Sequence, residues 1–103
     1  MADSFHEQVK KLIKSIPKGK VATYGLIATM AGSPRAARQV VRVLHSCSDK
    51  DKLPWHRVIN REGKIALKHG DGYELQKAML EKEGVVFGLQ ERIDLEKYLW
   101  KKR

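Results

Sequence analysis

Apolar positions along the chain fall into a helical rhythm from the start. Phe5, Val9, Leu12, Ile13 and Ile16 share one stripe at a period near 3.6, behind Ser4 and Glu7, which fit an S-x-x-E capping box. Pro17 and Gly19 end that helix. TYGLIATMAG then predicts a short helix, with Thr23 as N-cap, Ile27 and Met30 inward and Gly32 just past its end. In SPRAARQVVRVLHS, Ser33 fits an N-cap and Pro34 the first helical position, so a helix is expected from Pro34 to about His45. Two short helices across a Gly-Ser turn make a helix-turn-helix candidate.

Beyond Pro54 the rhythm shortens. Val58-Ile59 and Lys64 to Leu67 flank the turn NREG, which predicts a small β-hairpin or wing. KHGDG, from Lys68 to Gly72, reads as a loop. Tyr73 to Glu83 reads as a helix with Leu75, Ala78 and Met79 inward, closed by Gly84. Val85 to Phe87 is extended or irregular. Asp94 caps a last turn in which Leu95, Tyr98 and Leu99 return to the core, joined by Trp100. The fold class is therefore mainly α with a small β-hairpin, about five helices in a winged helix-turn-helix-like domain.

The third predicted helix carries the first functional signal. At about 100° per residue, Arg35, Arg38 and Arg42 lie within roughly 60° of one another. Ala37, Val40, Val41 and Leu44 take the other side, and no acid interrupts the helix. Ala36 and Ala37 keep its first turn slim. Arginine grips phosphate with a planar fork and stacks on bases, so the face suits nucleic acid. A solvated amphipathic helix is the plainer alternative. Net charge favours the first: 21 Lys+Arg against 12 Asp+Glu leave +9 on 103 residues, one domain's length.

The single cysteine, Cys47, precludes an intrachain disulfide. His45 and Cys47 form a lone H-x-C with no second ligand pair, so neither metal nor cofactor is expected. The N-terminus lacks a secretory signal, and no apolar run nears the roughly 20 residues of a membrane span. A cytoplasmic monomer, nucleoid-associated when bound to DNA and away from membranes, is the expectation.

LPWHRVIN holds the second signal, with Trp55 beside His56. Taken in order, GKVATYGLIATMAG, SPRAARQV, PWHRVIN-x-x-G and LEKEGV resemble the DNA-binding domain of O6-alkylguanine-DNA alkyltransferases. The likeness runs from about Phe5 to Trp100. In those enzymes the site reads Pro-Cys-His-Arg-Val, and its cysteine accepts the alkyl group. Trp55 stands at that position, so the chain resembles the alkyltransferase-like branch, with the enzymes' separate N-terminal domain absent.

The resemblance implies roles position by position. Tyr24 would press on the backbone beside the lesion, and Arg38 would fill the vacated base stack. Trp55 would line the lesion pocket. His56 and Glu83 match the enzymes' proton-relay pair, here reduced to a structural hydrogen bond. Arg57, Val58 and Ile59 continue the site strand, with the Val58 carbonyl a guanine contact. Lys68 matches a pocket-lip residue, where relatives carry an aromatic residue or arginine. Cys47 stands where the enzymes carry a bracing asparagine. The DNA-contacting set is Tyr24, Ser33, Arg35, Ala36, Arg38 and Arg42, placed in the minor groove. The lesion pocket comprises Tyr24, Trp55, His56, Arg57, Val58, Lys68 and Glu83.

The function so implied is a non-enzymatic damage sensor with no catalytic residue. It binds double-stranded DNA, flips O6-alkylguanine into the pocket and flags it for nucleotide-excision repair proteins. The alternatives are a general basic DNA-binding or regulatory module, and a residual alkyltransferase using Cys47.

Overall fold

The computed structural model describes residues 4–101 and, for residues 47–50, the backbone alone. The side chain of Cys47 lies outside the described residues. Helix α1, Phe5–Ser15, starts where Ser4 Oγ accepts the Glu7 N–H at 3.2 Å. Val9, Leu12, Ile13 and Ile16 of its stripe are buried. A turn at Pro17–Lys20, with Gly19 at φ +84°, leads into strand β1, Ala22–Thr23. Thr23 Oγ1 then caps helix α2, Tyr24–Met30, by accepting the Leu26 N–H at 3.0 Å. Gly32, at φ +90°, takes the left-handed position after α2 that a side chain would disfavour.

Helix α3, Ala37–Asp51, begins three residues later than its proline suggested. Ser33 to Ala36 instead form a turn closed by the Ala36 N–H on the Ser33 carbonyl at 2.9 Å. Pro34 is therefore a turn residue, a role its fixed φ serves as well as a first helical position. Arg35 moves off the helix with it.

The hairpin is replaced by a parallel pair. Strand β2, Val58–Ile59, pairs with β1 in the register Ala22↔Val58 and Thr23↔Ile59. The Asn60–Gly63 turn forms as expected, with Asn60 Oδ1 accepting the N–H groups of Glu62 and Lys64 at 3.0 Å each. Residues 64–67 add no strand after it. Alternation along the strands divides the core in two. Ala22 and Val58 face a cluster built from α1, α2 and α3, with Leu53 and Trp100. Val21 and Ile59 face a second cluster with Leu80, Val85, Ile93 and Tyr98.

Helix α4, Tyr73–Lys82, turns inward Tyr73, Gln76 and Leu80. Leu75 is 58% exposed and Ala78 is exposed, so the apolar positions misplace this helix by about one residue. The reason is Gln76, a buried polar residue that occupies what reads as the solvent side. Helix α5, Leu95–Tyr98, is capped by Asp94, whose Oδ1 accepts the Glu96 N–H at 3.0 Å. Among the described residues there are thus five α-helices and one two-stranded sheet.

Candidate nucleic-acid interface

Arg38 and Arg42 stand one turn apart on the exposed side of α3, and Arg35 projects from the turn before it. None of the three forms an ion pair with a described residue, and the first turn of α3 has no acid. Their charge is left for an outside partner. Ser33 and Ala36 shape the turn, and Ala36 packs partly on the first core cluster.

Beside this face opens a cavity of about 400 Å³. Tyr24 at the start of α2, Trp55 and Val58 line it. Burial pushes the Tyr24 phenol above its ordinary pKa. Trp55 is half-buried and begins a single 3₁₀ turn, Trp55–Arg57, between α3 and β2. Val41, Leu44 and His45 of α3 form another wall, and Leu67, Asp71, Leu75 and Gln76 complete it. Val40 and Val43 are the buried valines of that helix, and Leu44 packs on the first core cluster as well as lining the cavity.

Four residues expected in the pocket do not line it. His56, Arg57 and Glu83 form a clamp behind its wall. Glu83 caps the C-terminus of α4, and its Oε2 lies 2.7 Å from His56 Nε2 and 2.7 Å from Arg57 Nη2. Arg57 Nε donates to both carboxylate oxygens, at 3.0 and 3.2 Å, and Gly19 N–H donates to Oε1 at 3.1 Å. Arg57 Nη1 reaches the Ile16 carbonyl at 2.9 Å, beyond the end of α1. Burial alone pushes the Glu83 carboxyl upward, but hydrogen bonds from Arg57, His56 and Gly19 outweigh it and hold the pKa at about 2. The ionised carboxylate can only accept, so His56 Nε2 carries the hydrogen. His56 Nδ1 is buried with no hydrogen-bond partner.

Gln76 supports the same turn from the other side. Its Nε2 donates to the carbonyls of His56 at 3.0 Å and Val58 at 3.1 Å. A carbonyl accepts twice, so the Val58 oxygen keeps one lone pair. Lys68, the fourth residue, is exposed and sits outside the cavity lining. Its carbonyl accepts the Asp71 N–H at 2.9 Å, which folds the lip loop back and brings Asp71 to the wall. Glu74 braces the loop by accepting the Gly70 N–H at 2.9 Å, and His69 Nδ1 lies 2.8 Å from its other oxygen. The Gly70 N–H, then the backbone N–H of Glu74 itself, and then His69 hold the Glu74 carboxyl below the ordinary range.

The residues that sequence reasoning missed are Val41, Leu44, His45, Leu67, Asp71, Leu75 and Gln76. A buried glutamine inside an amphipathic helix was the one signal available. No group of His, Cys, Asp or Glu among the described residues could hold a metal ion, and no described helix is long and apolar enough to cross a membrane.

Residues 4–85 match the family described as 6-O-methylguanine DNA methyltransferase, DNA binding domain. A DNA base-flipping protein of Escherichia coli is 47% identical over 98 residues, 95% of this chain and 75% of that protein. Alkyltransferase-like protein 1 of Schizosaccharomyces pombe is 40% identical over 104 residues, 96% of each. The crystal structure of S. pombe Atl1 with damaged DNA containing O6-carboxymethylguanine superposes with a TM-score of 0.86, at 37% identity and 99% coverage of both chains.

Proposed function

The chain belongs to the family of the 6-O-methylguanine DNA methyltransferase DNA-binding domain, and from that premise we propose that it is a non-enzymatic sensor of O6-alkylguanine in DNA. It grips the duplex through the arginine face, turns the damaged nucleotide into the cavity and holds it there without removing the alkyl group. The observation that carries this reading is Trp55, half-buried in the wall of a cavity beside three arginines that form no ion pair with a described residue.

Dealkylation needs an ionisable nucleophile in line with the alkyl carbon, as a thiolate provides. The indole N–H is a donor without useful basicity. Trp55 therefore packs against an alkyl group and cannot accept it. Burying a methyl against such a wall contributes about 1 kcal/mol. Flipping costs a few kcal/mol, less where pairing is already damaged. Selectivity then comes from a weakened base pair and an apolar wall acting together. Tyr24, at the cavity's α2 edge, presses on the backbone, and Arg38, on the first turn of α3, takes the emptied place in the stack. Ser33, Arg35, Ala36 and Arg42 meet the flanking backbone from the minor groove. Arg57 and Glu83 act from behind the wall by holding Trp55 in place.

A complex that no chemistry ends can serve as a mark. We extend the proposal to a monomer working in the cytoplasm on nucleoid DNA, whose bound complex is read by nucleotide-excision repair proteins. Matched duplexes with and without O6-methylguanine test the sensor. Tighter binding of the damaged duplex, with its methyl group intact afterwards, supports the reading. Equal binding that falls steeply with salt would leave a general DNA-binding module. A gain of about 14 Da on Cys47, one methylene's mass in the alkyl-transfer chemistry of a cysteine thiolate, would mark an enzyme.

A further inference from the structure

We infer that Asp71 is a specificity-determining residue that sets the cavity against negatively charged O6-substituents; this rests on the sensor reading above. The cavity wall mixes apolar and polar surface, its apolar side chains coming from Tyr24, Val41, Leu44, Trp55, Val58, Leu67 and Leu75. Its polar members are His45, Asp71 and Gln76, and both Gln76 Nε2 hydrogen bonds go to backbone carbonyls. Asp71 is thus the one carboxylate on that wall. It forms no ion pair with a described residue. What fixes its place is its backbone N–H on the Lys68 carbonyl, which any side chain would preserve.

An unpaired carboxylate is electrostatically misplaced on a chain of net charge +9 that meets a polyanion. It is not misplaced if the group entering the cavity is a neutral base with a neutral substituent. A methyl or ethyl group is indifferent to the charge, and a hydroxyethyl group can donate a hydrogen bond to it. A carboxymethyl group brings a second negative charge into the same chamber. Across about 5 Å in a water-like medium that repulsion weakens binding by about threefold, and by more as water is displaced. Lys68 flanks the lip, so its charge opposes the effect in part. The effect is therefore read as a change on removing the Asp71 charge.

Three duplexes differing only at one guanine, unmodified, O6-ethyl or O6-carboxymethyl, are titrated with the wild-type chain, Asp71→Asn and Asp71→Glu. The affinity for the carboxymethyl duplex relative to the ethyl duplex should rise about threefold or more in Asp71→Asn and return in Asp71→Glu. A loosened lip loop would weaken both duplexes together and leave that ratio alone. An unchanged ratio in Asp71→Asn overturns the inference, while a preference for ethyl over unmodified DNA leaves the sensor standing. If the wild type prefers neither adduct over unmodified DNA, the sensor reading fails and this inference falls with it.

Discussion

Replacing Glu83 by glutamine probes the clamp directly. The carboxylate receives hydrogen bonds from His56, Arg57 and Gly19, and its side chain is only 9% exposed. Its pKa lies at about 2 against an ordinary 4.5. At about 1.4 kcal/mol per pKa unit, that gap corresponds to about 3 kcal/mol, a large share of the roughly 5–15 kcal/mol that keeps a domain of this size folded. Because the folded pKa is depressed, the native state binds fewer protons than the unfolded state between about pH 4.5 and 2. The contribution is complete above that window and is lost as pH falls through it. Glu83→Gln should therefore be less stable than the wild type by about 3 kcal/mol at pH 7, with the two converging towards pH 2. Urea unfolding followed by tryptophan fluorescence at several pH values measures the difference. Glu74 and Glu91 also have lowered pKa values, but both proteins share them, so the difference isolates Glu83. A gap that stays constant from pH 7 down to the acid limit would refute the electrostatic account and leave only altered packing.

Four other substitutions address separate parts of the molecule. Arg38→Ala should weaken binding to lesion DNA by about 1–3 kcal/mol, as expected for a side chain stacked among bases. Arg35→Ala should weaken all duplexes alike and lower the salt slope by about one phosphate; equal losses of lesion preference in both titrations would remove the special role of Arg38. Trp55→Ala should reduce the preference for damaged over undamaged DNA by about fivefold, the equivalent of about 1 kcal/mol of apolar contact, in the same assay. Gly63→Ala should destabilise the fold by about 2 kcal/mol or more, since φ +80° is disfavoured for alanine and its Cβ would stand 2.6 Å from the Ile93 carbonyl oxygen. A melting curve matching that of the wild type would contradict it.

Where local chemistry settles an element, the sequence could be read closely. Ser4, Thr23 and Asp94 cap the helices they precede, and Gly32 ends α2. The failures are places where a distant partner decides. The Asn60–Gly63 turn is a good hairpin signal, but β1 already occupies the pairing edge of β2, and that parallel contact leaves no trace in the spacing of either strand. Gln76 looks solvent-facing until the bare carbonyls of His56 and Val58 stand beside it. Trp55 could be placed at the pocket because its neighbours carry a family resemblance. Arg57 and Glu83 were placed there by the same resemblance, although their charges neutralise each other behind the wall.

That displacement accounts for a pair that otherwise looks like a leftover of catalysis. A histidine and a glutamate held 2.7 Å apart suit proton transfer, yet the cavity beside them has an indole where a thiol would use it. The clamp has a sufficient reason to persist without that use. Glu83 joins the end of α4 to the turn at Gly19, to Arg57 and through it to the Ile16 carbonyl, so four segments meet at one carboxylate. Trp55 begins the 3₁₀ turn that carries both His56 and Arg57. The clamp therefore anchors the turn on which Trp55 stands, one and two positions along the chain. Loosening Glu83 should blunt lesion selectivity together with stability, whereas Trp55→Ala should affect selectivity first. Separate losses in those two variants would tie the retained pair to positioning, and a Glu83→Gln protein with full lesion preference would break that link.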